Sequence, residues 1–315
     1  MVRERLINTA FGAGWTLLYR MPESWARAAF MLGADIAWRR RGHAVQVLEG
    51  NLLRVIGQDA SIRELRKLSR KVMRSYARYY LEAFRLHVIA RERLLGIGMH
   101  LEGADNFKRT LGYLNVGRGV IYALPHMGNY EQGGAWLVAN GAKSFTTVAE
   151  RLEPEQVYKR WLKFRQSLGF EVVPTAGSAR PFGVLAQRLR AGRLVCILAD
   201  RDLSATGHEV DFFGEKAMMA AGAAVLAVRT GAALVPAACW FVGNTEWGAR
   251  VHDEIPVPEQ GSSTEKVAVM MQQLADVFEQ AIREHPEDWH MLQRIFVADL
   301  DAERLQATRN AAGDR

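Results

Sequence analysis

The sequence predicts an α/β protein: a central, mostly parallel sheet flanked by helices, with a basic helical region at its N-terminal end. Three observations predict it. From about residue 100, short apolar runs alternate with amphipathic stretches of helical period, the pattern of successive βαβ units. The first hundred residues lack such runs and read as helical and arginine-rich. The 315 residues are 49% hydrophobic and 24% charged, enough for one large domain with a sizeable core.

In chain order, "RERLINTAFGAGWTLLYR" is an apolar stretch flanked by Arg3, Arg5 and Arg20. Its uncharged run, Leu6 to Tyr19, holds 14 residues, whereas a membrane span needs roughly 20. It has no cleavage-site pattern of a signal peptide. "ESWARAAFMLGADIAWRRR" carries Trp25, Phe30, Leu32 and Trp38 before three arginines. "SIRELRKLSRKVMRSYARYYLEAFRL" has the clearest helical period. Ser61 is its N-cap and Glu64 completes a capping box. Leu65, Leu68, Val72, Tyr76, Tyr79 and Leu81 form its apolar stripe, with basic residues on the other side.

Beyond residue 100, "GVIYAL", "SFTTVA", "FEVVP", "LVCILA", "EVDFF", "ALVPAACWFV" and "ARVHDEI" read as strands. "EPEQVYKRWLKFRQSLG", "PFGVLAQRLRAG" and "MMAAGAAVLAVRTG" read as helices ending at glycine. A long helix follows over about residues 263–284, and Pro286 is expected to open another, "PEDWHMLQRIF". The expected organisation is a helical region over 1–100 that faces a membrane while packing on the same domain, an α/β core over 101–303, and a flexible tail over 304–315.

The formal net charge is +7. Eight of the 41 basic residues are lysines, so 33 are arginines. Arginine contacts phosphate in a planar, bidentate manner, so the charge fits a nucleic acid, a phosphorylated small molecule or an anionic membrane. Cys196 and Cys239 both lie in apolar runs and read as buried reduced thiols of a cytosolic protein.

The chemistry gathers at "ALPHMGNYEQGG". His126 stands at the end of the strand Val120–Leu124, where α/β sheets place their sites. Gly128 and Asn129 open the next helix, whose free N–H groups suit an oxyanion. Glu131 falls in its first turn, within reach of the imidazole. A neutral histidine held by a carboxylate is a base–orienter pair. No G-x-S-x-G motif and no suitably partnered cysteine supplies a nucleophile, so the substrate brings its own, most simply a hydroxyl. The spacing H-x4-[DE] by itself is weak: it also occurs at His87/Glu92 and His100/Asp105. Only His126 follows a buried strand and precedes a helix. Phosphate-loop, dinucleotide and zinc-protease motifs are absent, and His285 and His290 around Pro286 make a poor metal clamp. Arg151, Arg165 and Arg201 follow or flank strand ends and are expected to contact substrate phosphates, and Phe212–Phe213 reads as core.

"HMGNYE" resembles the H-x4-[DE] signature of the lipid A biosynthesis acyltransferases, a branch of the lysophospholipid acyltransferase superfamily. "GNLLRVIG", "RSYARYYLEAFRL" and "VDFFGEKAMMAAGAAVLAVRTGAALVPA" extend the likeness over roughly residues 5 to 297. "SLGFEVVP", "EVDFFG", "ACWF" and "HPEDWHMLQ" most resemble the actinobacterial branch, which acylates phosphatidylinositol mannosides. The resemblance implies transfer of a fatty acyl chain, palmitoyl, from acyl-CoA to a mannose hydroxyl at the 6-position of mannosylated phosphatidylinositol. It places the protein peripherally at the cytoplasmic face of the cell membrane, against its anionic surface. It implies His126 as base, Glu131 as its partner, and a second acid after "LVCILA", where this chain has Asp200 and relatives are expected to carry glutamate. Acyl-CoA is a co-substrate, and no cofactor, metal or nucleic acid is implied. The nearest alternative keeps the chemistry and changes the acceptor: a lipid A-type or glycerophospholipid acyltransferase.

Overall fold

Seven strands form one sheet in the computed structural model, which describes residues 20–86, 99–149, 155–174, 181–202 and 207–301. They are β1 (Met99–Glu102), β2 (Val120–Leu124), β3 (Phe145–Ala149), β4 (Phe170–Pro174), β5 (Leu194–Leu198), β8 (Ala233–Val242) and β9 (Glu246–Val251). Their order is β1-β9-β8-β2-β5-β3-β4. Every pairing is parallel except β8 with β9, so β9 and β1 run against the other five strands. Strands β6 (His208–Phe212) and β7 (Glu215–Met219) form a separate antiparallel hairpin. β2 lies between β8 and β5 and is buried on both faces, which is why it reads as an unbroken apolar run.

Helices cover both faces. α1 (Glu23–Arg40), α2 (His43–Ile56) and α3 (Ile62–Arg85) come from the basic region. Within the core lie α4 (Ala104–Asn115), α5 (Tyr130–Leu137), α6 (Glu155–Ser167), α7 (Pro181–Arg190), α8 (Gly222–Thr230) and α9 (Ser263–Glu284). α3 opens on the predicted capping box: Ser61 accepts from the Glu64 N–H, and Glu64 accepts from the Ser61 N–H at 2.9 Å. Ser262 and Glu265 repeat the device at α9. α9 buries Val267, Met270, Met271, Leu274 and Phe278 at helical spacing, the i+3/i+4 stripe of a core-facing helix.

The basic region is tied into the rest of the molecule. On α2, Asn51 donates to the carbonyls of Met291 and Gln293, each at 2.9 Å. Arg54 pairs with Glu215 and Asp299. On α3, Arg78 pairs with Glu82, whose second oxygen accepts from Asn129 Nδ2 at 2.9 Å and Trp247 Nε1 at 2.7 Å. Trp38 of α1 lies against α3 under the Arg66 guanidinium, 3.9 Å from its ring centre.

Several expectations change. β1, β7 and α4 complete the fold beyond the elements read from the sequence, whereas α5 is the helix expected to open at Asn129. "MMAAGAAVLAVRTG" divides into the end of β7 and α8. No α-helix follows Pro286: residues 286–288 make a single 3-10 turn that Pro286 opens, and the chain then runs extended past Met127. Phe212 and Phe213 are buried core residues, as expected. The run Leu6–Tyr19 and the tail from 304 lie outside the described residues.

Candidate active site

His126 stands two residues beyond β2, and Asp200 two residues beyond β5. The two strands are adjacent, parallel and paired Leu124 to Leu198. Continuing that register brings residue 126 opposite residue 200. The Ala199 N–H donates to the Leu124 carbonyl at 2.8 Å and prolongs the ladder past the strand ends. Neighbouring strands lie about 4.8 Å apart, so a short aspartate side chain spans the gap. Its Oδ1 lies 2.5 Å from His126 Nδ1, and its Oδ2 accepts the His126 backbone N–H at 2.9 Å. The indole N–H of Trp289 reaches the same Oδ2 at 3.0 Å.

Asp200 has no exposed surface. Burial pushes its carboxyl up, but the adjacent His126 and the hydrogen bonds from His126 and Trp289 outweigh it and hold the group below the usual carboxylate range. An ionised Asp200 accepts a proton held on Nδ1 and leaves Nε2 as the free basic nitrogen.

Glu131 is not the partner of His126. It lies in the first turn of α5 but is 2% exposed and forms a bidentate pair with Arg165 of α6, whose Nε donates at 3.2 Å. The helix start turns this carboxylate away from the imidazole, across to α6. Breaking a buried pair from one side costs about 3–5 kcal/mol. Glu131→Gln is therefore expected to lower the melting temperature while leaving the pH dependence of turnover unmoved; a shifted pH profile would restore Glu131 to the dyad.

Gly128 is also corrected. Its N–H donates to the Asp288 carbonyl at 2.9 Å and is not available to an oxyanion. Its role is conformational: φ is +58°, and a Cβ would lie 2.4 Å from the Cys239 carbonyl oxygen. Asn129 caps α5 by accepting from the Gln132 N–H at 3.0 Å.

Arg201 follows Asp200, and its buried Nε has no hydrogen-bond partner among the described residues. Arg151 lies outside the described residues, as do His87 and Glu92. His100 bonds Glu246 at 2.8 Å rather than Asp105. α3 presents aromatic rings to the site: Tyr79 packs on Tyr130 at 4.8 Å, and Tyr76 on His290 at 5.1 Å.

A cavity reaches Leu124, Tyr130 and Leu198 near this pair, although neither His126 nor Asp200 lines it. It is lined by residues of every strand of the main sheet, from Leu101 in β1 through Tyr122 in β2 to Phe170 in β4. At about 4.8 Å per strand, six gaps give a length on the order of 29 Å. Leu124 and Leu198, each two residues before a member of the pair, line it, and Glu131, Arg165 and Arg250 supply charge in an otherwise largely apolar wall. Cys196 and Cys239 line it as uncharged thiols; burial raises both, Cys239 to about 12. Sequence reasoning found both ends of the dyad but missed Trp289, because "PEDWHMLQRIF" carries the Pro start and apolar spacing of a helix.

Comparison with known proteins identifies the family. The family model for bacterial lipid A biosynthesis acyltransferase matches residues 3–297. A Mycolicibacterium smegmatis protein named phosphatidylinositol mannoside acyltransferase is 45% identical over 302 residues, covering 95% of this chain and 94% of its own. A Mycobacterium tuberculosis protein of the same name is 44% identical over 304 residues, covering 96% of this chain and 92% of its own. The likeness read from the motifs is borne out along nearly the whole chain, and the protein belongs to the bacterial lipid A biosynthesis acyltransferase family.

Proposed function

We propose that the protein transfers a palmitoyl chain from acyl-CoA to the 6-hydroxyl of a mannose on phosphatidylinositol mannoside, at the cytoplasmic membrane face. What supports this reading most is the position of the His126–Asp200 pair two residues beyond Leu124 and Leu198, which line a long, largely apolar cavity. The names of the relatives supply the acceptor. His126 Nε2 takes the proton of the mannose hydroxyl as its oxygen attacks the thioester carbonyl. The C–O bond forms, the C–S bond breaks, and the imidazolium returns the proton to the departing thiolate. Asp200 fixes the tautomer and stabilises the imidazolium. The acyl chain lies in the cavity, where each buried CH₂ contributes about 0.8 kcal/mol. Arg201 contacts a substrate phosphate, because its buried Nε has no partner among the described residues and a guanidinium suits a phosphate. Incubation with palmitoyl-CoA and mannosylated phosphatidylinositol should yield the acylated lipid by mass spectrometry. Acylation of a lipid A precursor or of lysophospholipid instead would establish the alternative acceptor class.

The membrane contact is proposed for the outer face of α1. Trp25, Leu32 and Ile36 are 71%, 58% and 41% exposed and recur at i, i+7 and i+11, a single stripe. Arg39, Arg40 and Arg41 flank it and are exposed. No described helix is long and apolar enough to cross a membrane. Apolar residues beside basic ones suit a helix lying in the interface, and each arginine near an anionic surface adds about 1 kcal/mol. Changing Trp25, Leu32 and Ile36 to serine should lower co-sedimentation with anionic vesicles and spare turnover of a short-chain thioester with a water-soluble mannoside. Unchanged vesicle binding would move the contact off α1.

A further inference from the structure

The segment "HPEDWH" has no part in the chemistry above, yet it grips the dyad from three sides. The Gly128 N–H donates to the Asp288 carbonyl at 2.9 Å, and the His290 N–H to the His126 carbonyl at 2.8 Å. Met127 and Trp289 thereby pair as an isolated antiparallel bridge. The segment is itself anchored. Asp288 accepts from Ser75 Oγ of α3 at 2.6 Å and from the Phe241 N–H of β8 at 2.8 Å. Trp289 has no exposed surface and packs on Phe212 and Phe213, with ring centres 6.1 Å away in each case. Its indole N–H then meets Asp200 Oδ2.

This arrangement divides the two oxygens of Asp200. Oδ2 takes two donors, the His126 backbone and the indole, and Oδ1 faces Nδ1. A carboxylate bonded at one oxygen by two fixed N–H groups is held against rotation, and so is the imidazole it faces. We propose that Trp289 is a positioning residue of the acyl transfer, acting through its indole N–H on Asp200. This rests on the reading of His126–Asp200 as the acid–base pair. The indole also sets the basicity of the pair. A hydrogen bond to the charged carboxylate spreads its charge. Without it, Asp200 holds the Nδ1 proton harder, and the His126 imidazolium titrates at higher pH.

Two replacements test this: Trp289→Phe, and incorporation of benzothienylalanine, which keeps the indole shape and exchanges the N–H for sulfur. The first readout is the His126 ring titration by NMR, which needs no substrate. Both proteins are expected to titrate higher by about half a unit to one unit, three- to tenfold in the ionisation constant. The acid limb of kcat/KM should move up with it, and turnover at neutral pH should fall, by up to about a hundredfold if the imidazole also drifts. Loss of packing alone lowers turnover at every pH and moves neither titration nor limb. An unmoved titration in the benzothienyl protein overturns the proposal, even if Trp289→Phe shifts, because shape rather than the N–H would then be at work. A shifted titration in both variants, where the wild-type enzyme acylates no mannoside, leaves the brace standing and removes the proposed acceptor.

Discussion

His126→Ala is expected to abolish acyl transfer while leaving the fold intact. His126 sits in the turn after β2, and its backbone, not its ring, carries the bonds to Asp200 Oδ2 and the His290 N–H. Alanine keeps both. General acid–base catalysis contributes roughly 10²–10⁴-fold, and no other described group near the cavity replaces it: burial lowers His290 to about 3, keeping it neutral, and both cysteines are held as thiols. Steady-state turnover together with a thermal melt checks this. Turnover within a few-fold of wild type in a folded protein would take the base away from His126.

Asp200→Asn is expected to cost about as much, on the order of 10⁴-fold by analogy with the aspartate of a Ser-His-Asp triad. The amide is the same size, but it offers an N–H where Nδ1 needs an acceptor, so the imidazole turns to the wrong tautomer. The stability effect has a definite sign. The carboxyl is held below its unfolded value of about 3.9. Its contribution is therefore present above that pH and lost as pH falls through the depressed folded value. The Asn variant should accordingly show a flatter fall in melting temperature between pH 5 and pH 3 than the wild type. Equal slopes, or turnover near that of wild type, would mean that Asp200 is not the ionised partner.

Much of the molecule was legible in the sequence because short-range physics specifies it. β2 and β5 are apolar runs bounded by turns, α3 and α9 announce themselves by capping boxes and an i+3/i+4 stripe, and His126 stands out as a histidine between a buried strand and a helix. Other elements were not. β1 is only four residues long at the sheet edge, and although Met99–Glu102 alternates apolar and polar residues, the stretch is too short to stand out.

The sequence by itself determined the α/β class, the strand that ends at His126 and the family. Tertiary structure alone decided which acid that histidine uses. Glu131 is five residues away and Asp200 seventy-four, so proximity along the chain favours the wrong one. Two residues past two parallel strands in register, His126 and Asp200 face each other, whereas one helical turn carries Glu131 round to Arg165. Trp289 comes from still further away, through an extended segment whose local pattern suggests a helix. What overrides that pattern is the gain from filling the core beside Phe212 and Phe213 and from satisfying buried N–H and carbonyl groups of the His126 turn, and neither is visible before the chain is folded.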